Sequence, residues 1–335
     1  MKSGLLRIAL ATAIAASTGV ASATPPVIYG KYGTRSITVG FHNSIPTDCI
    51  SSTIVAANAW NMVYADFDFK LNTASFQPRF EEQTPTFDDQ NVTVQDGTPQ
   101  NPNAIMTTRV RVNTSTKLIE NTDITVDKRR INQTGSSPVA KLSCTGLNPT
   151  PADQLDFESS ILHELGHVTG LEDVGDDASC ALYYSLPLGI QRRALCADEK
   201  QAHIANYGKR FQILSLANVA GPQGVDIPAR VFYDGTPKFP VQRKTKIVEC
   251  ASGWSCSDYN GTYSSAAPSP LTFNFKCTPS SPMATATFRW RTTLTDANGV
   301  ITNAVDHTST CTKPATAKAG SAHELGGVNR IVITP

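Results

Sequence analysis

Helical periodicity stops near Gln212, and this break limits what the chain can fold into more than any other feature. Beyond it, Pro, Gly, Ser and Thr punctuate short runs such as Ala229-Arg230-Val231-Phe232, Leu271-Thr272-Phe273-Asn274-Phe275 and Thr287-Phe288-Arg289-Trp290. Such runs alternate with period two, as half-buried strands do. Residues 209–335 are therefore expected to form an all-β module, whereas the residues before them mix both periods.

Upstream of the break, Ser36 to Phe41 alternates as a strand, and Asp48 is placed to cap a helix through Ile50, Ile54, Ala57 and Trp60. Phe67 to Leu71 returns to period two. Residues 77–103 are rich in Pro, Gln, Asn and Thr and read as loop with one strand at Val92 to Val94. Ile105 to Val112 and Asp123 to Val126 predict further strands. A second helix is expected to start at Thr150-Pro151-Ala152-Asp153, with Thr150 capping and Pro151 at the first helical position. It should bury Leu155, Ile161, Leu162, Leu165 and Val168, and stop near Thr169 because Gly170 supplies a left-handed residue. A last helix is expected over Ala197 to Tyr207.

The first residues read as an export signal. Lys2 and Arg7 carry positive charge, Ile8 to Ala16 is a short apolar run, and Ala21-Ser22-Ala23 offers small residues for cleavage before Thr24. Removal of residues 1–23 predicts a secreted product, extracellular or periplasmic. The apolar run is too short and too rich in Ala, Ser and Thr to suit a bilayer span, so no membrane association is expected afterwards. Lysine plus arginine total 29 against 28 aspartates and glutamates, with no basic run, so nucleic acid is not an expected partner. Eight cysteines, none in a CxxC pair, read as disulfides behind an export signal. Sequence does not fix their pairing. Proximity favours Cys180 with Cys196 and Cys250 with Cys256, leaving Cys49 with Cys144 and Cys277 with Cys311 as longer bridges.

His163-Glu164-Leu165-Gly166-His167 carries the chemistry. Residues four apart on a helix project from one face, so the two imidazoles can share one tetrahedral ion, with Glu164 beside a water on it. The bland alternative is a structural helix with two incidental histidines, but imidazoles and a glutamate seldom face a core together without partners.

The motif extends to His163-Glu164-Leu165-Gly166-His167-Val168-Thr169-Gly170-Leu171-Glu172-Asp173 and resembles the HExxHxxGxxH signature of metzincin peptidases. By that resemblance Gly170 lets the chain turn so that Asp173 becomes the third zinc ligand, as aspartate does in the snapalysin-like branch. Asp156 to Leu162 and Arg192 to Glu199 look like the corresponding matrixin segments, and the likeness covers roughly Ser36 to Gly208. It implies a twisted mixed sheet plus an active-site helix over residues 24–208, giving an α+β chain when the β module is added. It also implies a zinc endopeptidase in which a zinc-bound water, its pKa lowered towards about 7, gives its proton to Glu164 and attacks a peptide carbonyl. Where the clan places a methionine beneath the metal, this chain has Leu182. Tyr184, two residues on, matches a tyrosine that in some metzincins meets the metal or the oxyanion; its alternative is a packed core residue.

Asp173 could instead be a mere helix-exit residue. His42, His203 and His307 lack metal-ligand spacing and read as polar surface or core groups, and His323-Glu324-Leu325-Gly326-Gly327 lacks the second histidine. No room is seen between Thr24 and the first strand for the inhibitory prodomain of animal matrixins. One zinc is expected; calcium is a further candidate without assigned ligands among Asp88, Asp89, Asp176 and Asp177. In the β module, the order Cys277, Trp290, Cys311 resembles an immunoglobulin-like sandwich, although the cysteines are close and a tyrosine corner is missing. The leading expectation is a monomeric enzyme acting on protein or peptide substrates. Its rivals are a non-catalytic adhesion protein on the same scaffold, motivated by Leu182 and the large β module, and a zinc hydrolase of non-peptide amides.

Overall fold

The computed structural model describes residues 24–74, 76, 91–99, 101, 103–131, 133, 139–146, 148–266, 268–278, 284–313 and 330–334. The expected export signal, Asp88, Asp89 and the His323 segment lie outside them. Helices and strands are mixed in the first half: β1 (Ser36–Phe41), α1 (Thr47–Asn61), β2 (Asp68–Leu71), β3 (Asn91–Gly97), β4 (Met106–Val112), β5 (Ile119–Asp127), α2 (Lys128–Ile131), β6 (Leu142–Ser143), β7 (Leu155–Asp156), α3 (Phe157–Val168) and α4 (Ala197–Tyr207). The main sheet has the order β2-β1-β3-β5-β4. Its first four members are joined in parallel, and β4 runs antiparallel to β5 at the edge. A parallel interior strand is covered on both faces, which explains why β5 is buried at every position but one.

Two local expectations need correction. Pro46, not Asp48, precedes α1, and Ile54 is left outside its buried face, which is made by Cys49, Ile50, Ser52, Thr53, Ala56, Ala57 and Trp60. α3 starts at Phe157 rather than near Thr150. The reason is Asp156, whose carboxylate accepts from the Ser159 N–H and hydroxyl (2.9 and 2.6 Å), taking the capping role. Leu155 and Asp156 meanwhile pair in parallel with Leu142 and Ser143, which holds the chain extended until that cap. Thr150 donates to Asp156 Oδ1 instead of capping (2.9 Å). Arg193 also pairs with that carboxylate, and these donors together hold it below the usual carboxylate range against the opposing effect of burial.

The second half is all strand: β8 (Gln212–Leu216), β9 (Val219–Pro222), β10 (Asp226–Asp234), β11 (Val241–Glu249), β12 (Tyr259–Tyr263), β13 (Leu271–Thr278), β14 (Ala286–Thr295), β15 (Val305–Thr312) and β16 (Arg330–Thr334). They form two sheets, β16-β13-β10-β8 and β12-β11-β14-β15-β9. Alternate residues of β10, β13 and β14 meet in one core that includes Val231, Phe273, Phe275, Phe288 and Trp290. The first half has its own core, built on Phe41, Trp60, Phe157, Leu165 and Leu182 among others.

The cysteines pair as Cys49–Cys144, Cys180–Cys196, Cys250–Cys256 and Cys277–Cys311. Each bridge lies within one half, and the last joins β13 to β15 across the two sheets. Lys209 and Arg210 tie the halves together: Lys209 bridges to Ala65, and Arg210 bonds the Tyr64, Ala65 and Phe67 carbonyls and the Asp68 carboxylate. Among the described residues no helix is long and apolar enough to cross a membrane.

Candidate functional site

α3 is enclosed almost all round, because it is covered by α1, by β4 and by the segment before α4. Ten of its twelve residues are buried, and the two that are not are His163 and His167. Both imidazoles therefore open to the same side. There His163 Nε2 lies 3.1 Å from His167 Nε2, and Asp173 Oδ1 is 3.2 Å from the first and 3.3 Å from the second. The three donor atoms form a nearly equilateral triangle.

Backbone carbonyls fix which ring nitrogen faces it. His163 Nδ1 donates to the Ala181 carbonyl (3.0 Å) and His167 Nδ1 to the Leu171 carbonyl (2.8 Å). A carbonyl can only accept, so each Nδ1 carries the proton and each Nε2 presents a lone pair. Two lone pairs and a carboxylate oxygen converging on one point could hold a cation. A tetrahedral ion with bonds of about 2.0–2.1 Å keeps its ligand atoms about 3.3–3.4 Å apart, close to this spacing. The same groups also favour a proton. Burial works against charge on His167, but its hydrogen bond to Asp173 and the charge of Glu164 outweigh this and push it up to about 9. Burial would likewise raise Asp173, yet the two imidazoles hold it well below the ordinary carboxylate range.

Two glycines allow this arrangement. Gly166 brings α3 against Leu182 and Trp60, where an added Cβ would meet Leu182 Cδ2 at 2.5 Å and Trp60 Cζ2 at 2.9 Å. Gly170 takes φ +87° and passes so close to Gly30 that a Cβ would lie 1.9 Å from its carbonyl oxygen. The turn after α3 is pinned from outside by the start of the chain: Tyr29 N donates to the Gly170 carbonyl (3.0 Å), Glu172 N to the Val27 carbonyl (2.9 Å), and the Tyr29 hydroxyl to the His167 carbonyl. The loop beneath the imidazoles is held by Glu199. Its fully buried carboxylate accepts from Leu182 N and Cys196 N; burial pushes its pKa up, while the amides of Leu182, Cys196 and Ala181 oppose this. Glu199 thus fixes the same loop whose Ala181 carbonyl orients His163. Cys180, Cys196 and Glu199 also cluster, but the two sulfurs are bonded to each other and offer no thiolate.

No protein-family model matches this chain, and no curated protein does. Its chemistry is therefore read from the cleft itself.

A cleft of about 710 Å³ runs past the triangle, walled by β4, α3 and the segment Tyr183 to Arg192. Glu164 faces it from α3 and is 7% exposed. Thr108, on the edge strand β4, donates to Glu164 Oε2 (2.5 Å), and Oε1 makes no hydrogen bond among the described residues. Tyr184 is 63% exposed at the cleft mouth, with its ring 4.5 Å from that of Tyr183, so it is not the packed core residue of the bland alternative. Asp173 is half-exposed and turned to the imidazoles, not to bulk solvent alone. His203 and His307 are core residues that do not line the cleft, and His203 is buried against Trp60, Phe67 and Tyr207 with neither ring nitrogen hydrogen-bonded among the described residues. His42 bonds Ser44 Oγ (2.8 Å). Asp176 accepts from Thr24, and Asp177 from Ser179, which gives each a local task.

Sequence reasoning missed Thr108, Glu199 and Arg192. Glu199 had a detectable signal, a glutamate at the third helical position, where such residues reach back to the preceding turn. Thr108 had none, since nothing in a strand's own pattern reports which helix its side chain meets.

Proposed function

We propose that the chain is a secreted zinc-dependent endopeptidase of metzincin type, with an immunoglobulin-like sandwich as a second module. The observation that carries this reading is the triangle of His163 Nε2, His167 Nε2 and Asp173 Oδ1 beside a glutamate with one unengaged oxygen. These three residues would hold the ion, the carbonyl-bound Nδ1 atoms keeping both imidazoles in the coordinating tautomer. When bound, zinc supplies Lewis acidity, polarising a substrate carbonyl and making water a better nucleophile at neutral pH.

The remaining work falls to side chains. Thr108 occupies Glu164 Oε2, so Oε1 is the atom that takes a proton from the attacking water and later passes it to the leaving amine. The Tyr184 hydroxyl, which accepts from the Tyr183 hydroxyl (3.4 Å), would donate to the oxygen on which negative charge grows. An extended peptide suits the cleft because β4, which forms one of its walls, is the outermost described strand of its sheet. That favours peptides over compact non-peptide amides. A purely adhesive role would leave the Thr108–Glu164 arrangement without purpose. The second module is supported as a sandwich by the Cys277–Cys311 bridge between its sheets and by buried Trp290, whose Nε1 donates to Ser309 Oγ (2.8 Å).

The test is metal analysis of the purified chain with a broad peptide-library digest, repeated on Glu164→Ala. The variant should keep its zinc and fold while cleavage falls at least about a hundredfold. Undiminished cleavage would sink the mechanism, and a wild-type chain that retains zinc but cleaves nothing would sink the peptidase reading.

A further inference from the structure

The cleft wall carries a cation that hydrolysis leaves without a task. Arg192 is anchored by its backbone N–H, which donates to Ser159 Oγ (2.7 Å) in the first turn of α3. Its guanidinium lies over the Tyr183 ring (5.0 Å to the centroid), and Nη1 donates to the Ser185 carbonyl. Among the described residues, Nε and Nη2 make no hydrogen bond and no carboxylate pairs with this side chain. Its neighbours differ. Arg193 is turned away onto Asp156 and Glu158. Arg130, the other arginine lining the cleft, is held by Asp127 Oδ2 (3.1 Å) and the Ala140 carbonyl (3.1 Å). Burial draws the Arg192 guanidinium below its ordinary value, as expected for a cation partly stripped of water before any partner arrives.

Such a group recognises a carboxylate. The side-on fork of Nε and Nη2 matches two carboxylate oxygens, and these charge-assisted bonds are stronger than neutral ones. Place follows from the anchor. Ser159 precedes His163 by four residues, just over one helical turn or roughly 6 Å along α3. An extended peptide advances about 3.3 Å per residue, so a side chain beside the bond under attack spans that offset.

We propose that Arg192 makes this a carboxylate-selective cleft, binding an acidic group of the substrate within about two residues of the scissile bond. The proposal rests on the peptidase reading for its substrate but not for its binding chemistry. The carboxylate could belong to an Asp or Glu side chain or to a peptide's own C-terminus, and the experiment separates the two.

The probes are short end-blocked Ala/Gly peptides carrying Glu or Gln at one position, and the neutral peptide with a free C-terminal carboxylate. Their affinities are measured on the full-length zinc-loaded Glu164→Ala chain, which binds without consuming them. At least one carboxylate peptide should bind about tenfold or more tightly than its neutral amide counterpart. Preference for the Glu peptide assigns the site to side chains, and preference for the free terminus assigns it to chain ends. Arg192→Gln in the same background should bring the ratio to about one, and Arg192→Lys, which keeps the charge without the fork, should leave part of it. Equal affinities in the parent chain overturn the proposal without any Arg192 variant, and a preference that survives Arg192→Gln overturns it too. If the preference holds while wild-type protein cleaves none of these peptides, the peptidase reading falls and the carboxylate site stands.

Discussion

In β14 every second side chain from Ala286 to Leu294 is buried, and the residues between them face outward or lie partly exposed. α3 in the other half is buried on every side except at His163 and His167. A strand that alternates needs polar partners on one face only, and water supplies them. A helix enclosed all round must find a protein partner for each polar group it brings inside. α3 brings Glu158, Ser159, Ser160 and Glu164, and the chain answers with Arg193, Asp156, Arg192 N and Thr108. The C-terminal core also holds polar groups, some bonded across their own sheet, as in Thr245–Thr292–His307, whereas Arg243 Nε and Nη2 and His307 Nδ1 find no hydrogen bond among the described residues. The difference places reactive geometry where enclosure is irregular and leaves the sandwich closed.

The comparison would break first at Asp173. Asp173→Ala should weaken zinc retention at least about a hundredfold in a chelator competition, whereas Asp173→His should retain the ion because imidazole replaces the carboxylate oxygen. Unchanged retention by the alanine variant would mean that the triangle is not the ligand set.

Two buried histidines, one in each half, sharpen the contrast at lower cost to the fold. Burial draws His203 down to about 3 and His307 to about 4, so both are neutral when folded. In the unfolded chain imidazole titrates near 6.5, so between these values the unfolded state binds more protons, and stability falls as pH drops below about 6.5. At pH 5 each costs about 2 kcal/mol relative to neutral pH. His203→Leu should lift this acid penalty from the unfolding of the N-terminal half alone. Calorimetry at pH 7 and pH 5 checks it; a variant as acid-sensitive as the parent would show that His203 is not the titrating group.

The smallest effect is expected from separating the halves. Because Lys209 and Arg210 bond to the first half, the informative fragment is residues 24–210 and not 24–208. It should cleave short peptides within a few-fold of the full chain, losing efficiency mainly on large or surface-bound substrates that use a second contact. A folded, zinc-binding fragment that cleaves no short peptide would show that the sandwich contributes to the cleft.

The strands of the second half were legible because period two survives translation from sequence to strand: Ala229 to Phe232, Leu271 to Phe275 and Thr287 to Trp290 each fall inside a strand. That His163 and His167 face one side was legible for a similar reason, since i, i+4 spacing is a local rule, whereas Asp173 was reached only through the resemblance of the extended motif. The start of α3 was not, because Thr150-Pro151 is a sound local signal overridden by Asp156 and its distant partner Arg193. Thr108 and Arg192 escaped for the same cause: what they do depends on a neighbour 56 positions away in one case and 33 in the other.

The strand-like contact between Ile28 and Leu171 joins the opening of the chain to the turn that carries Asp173. Tyr29 and His167, which it also links, are 138 positions apart. During synthesis residues 27–29 must therefore wait until the chain has been made past Leu171. Closing so long a loop is slow compared with forming a local helix, so the imidazoles share a helix well before the aspartate is held opposite them. The turn that carries Asp173 is therefore set only once the two ends of this loop have met.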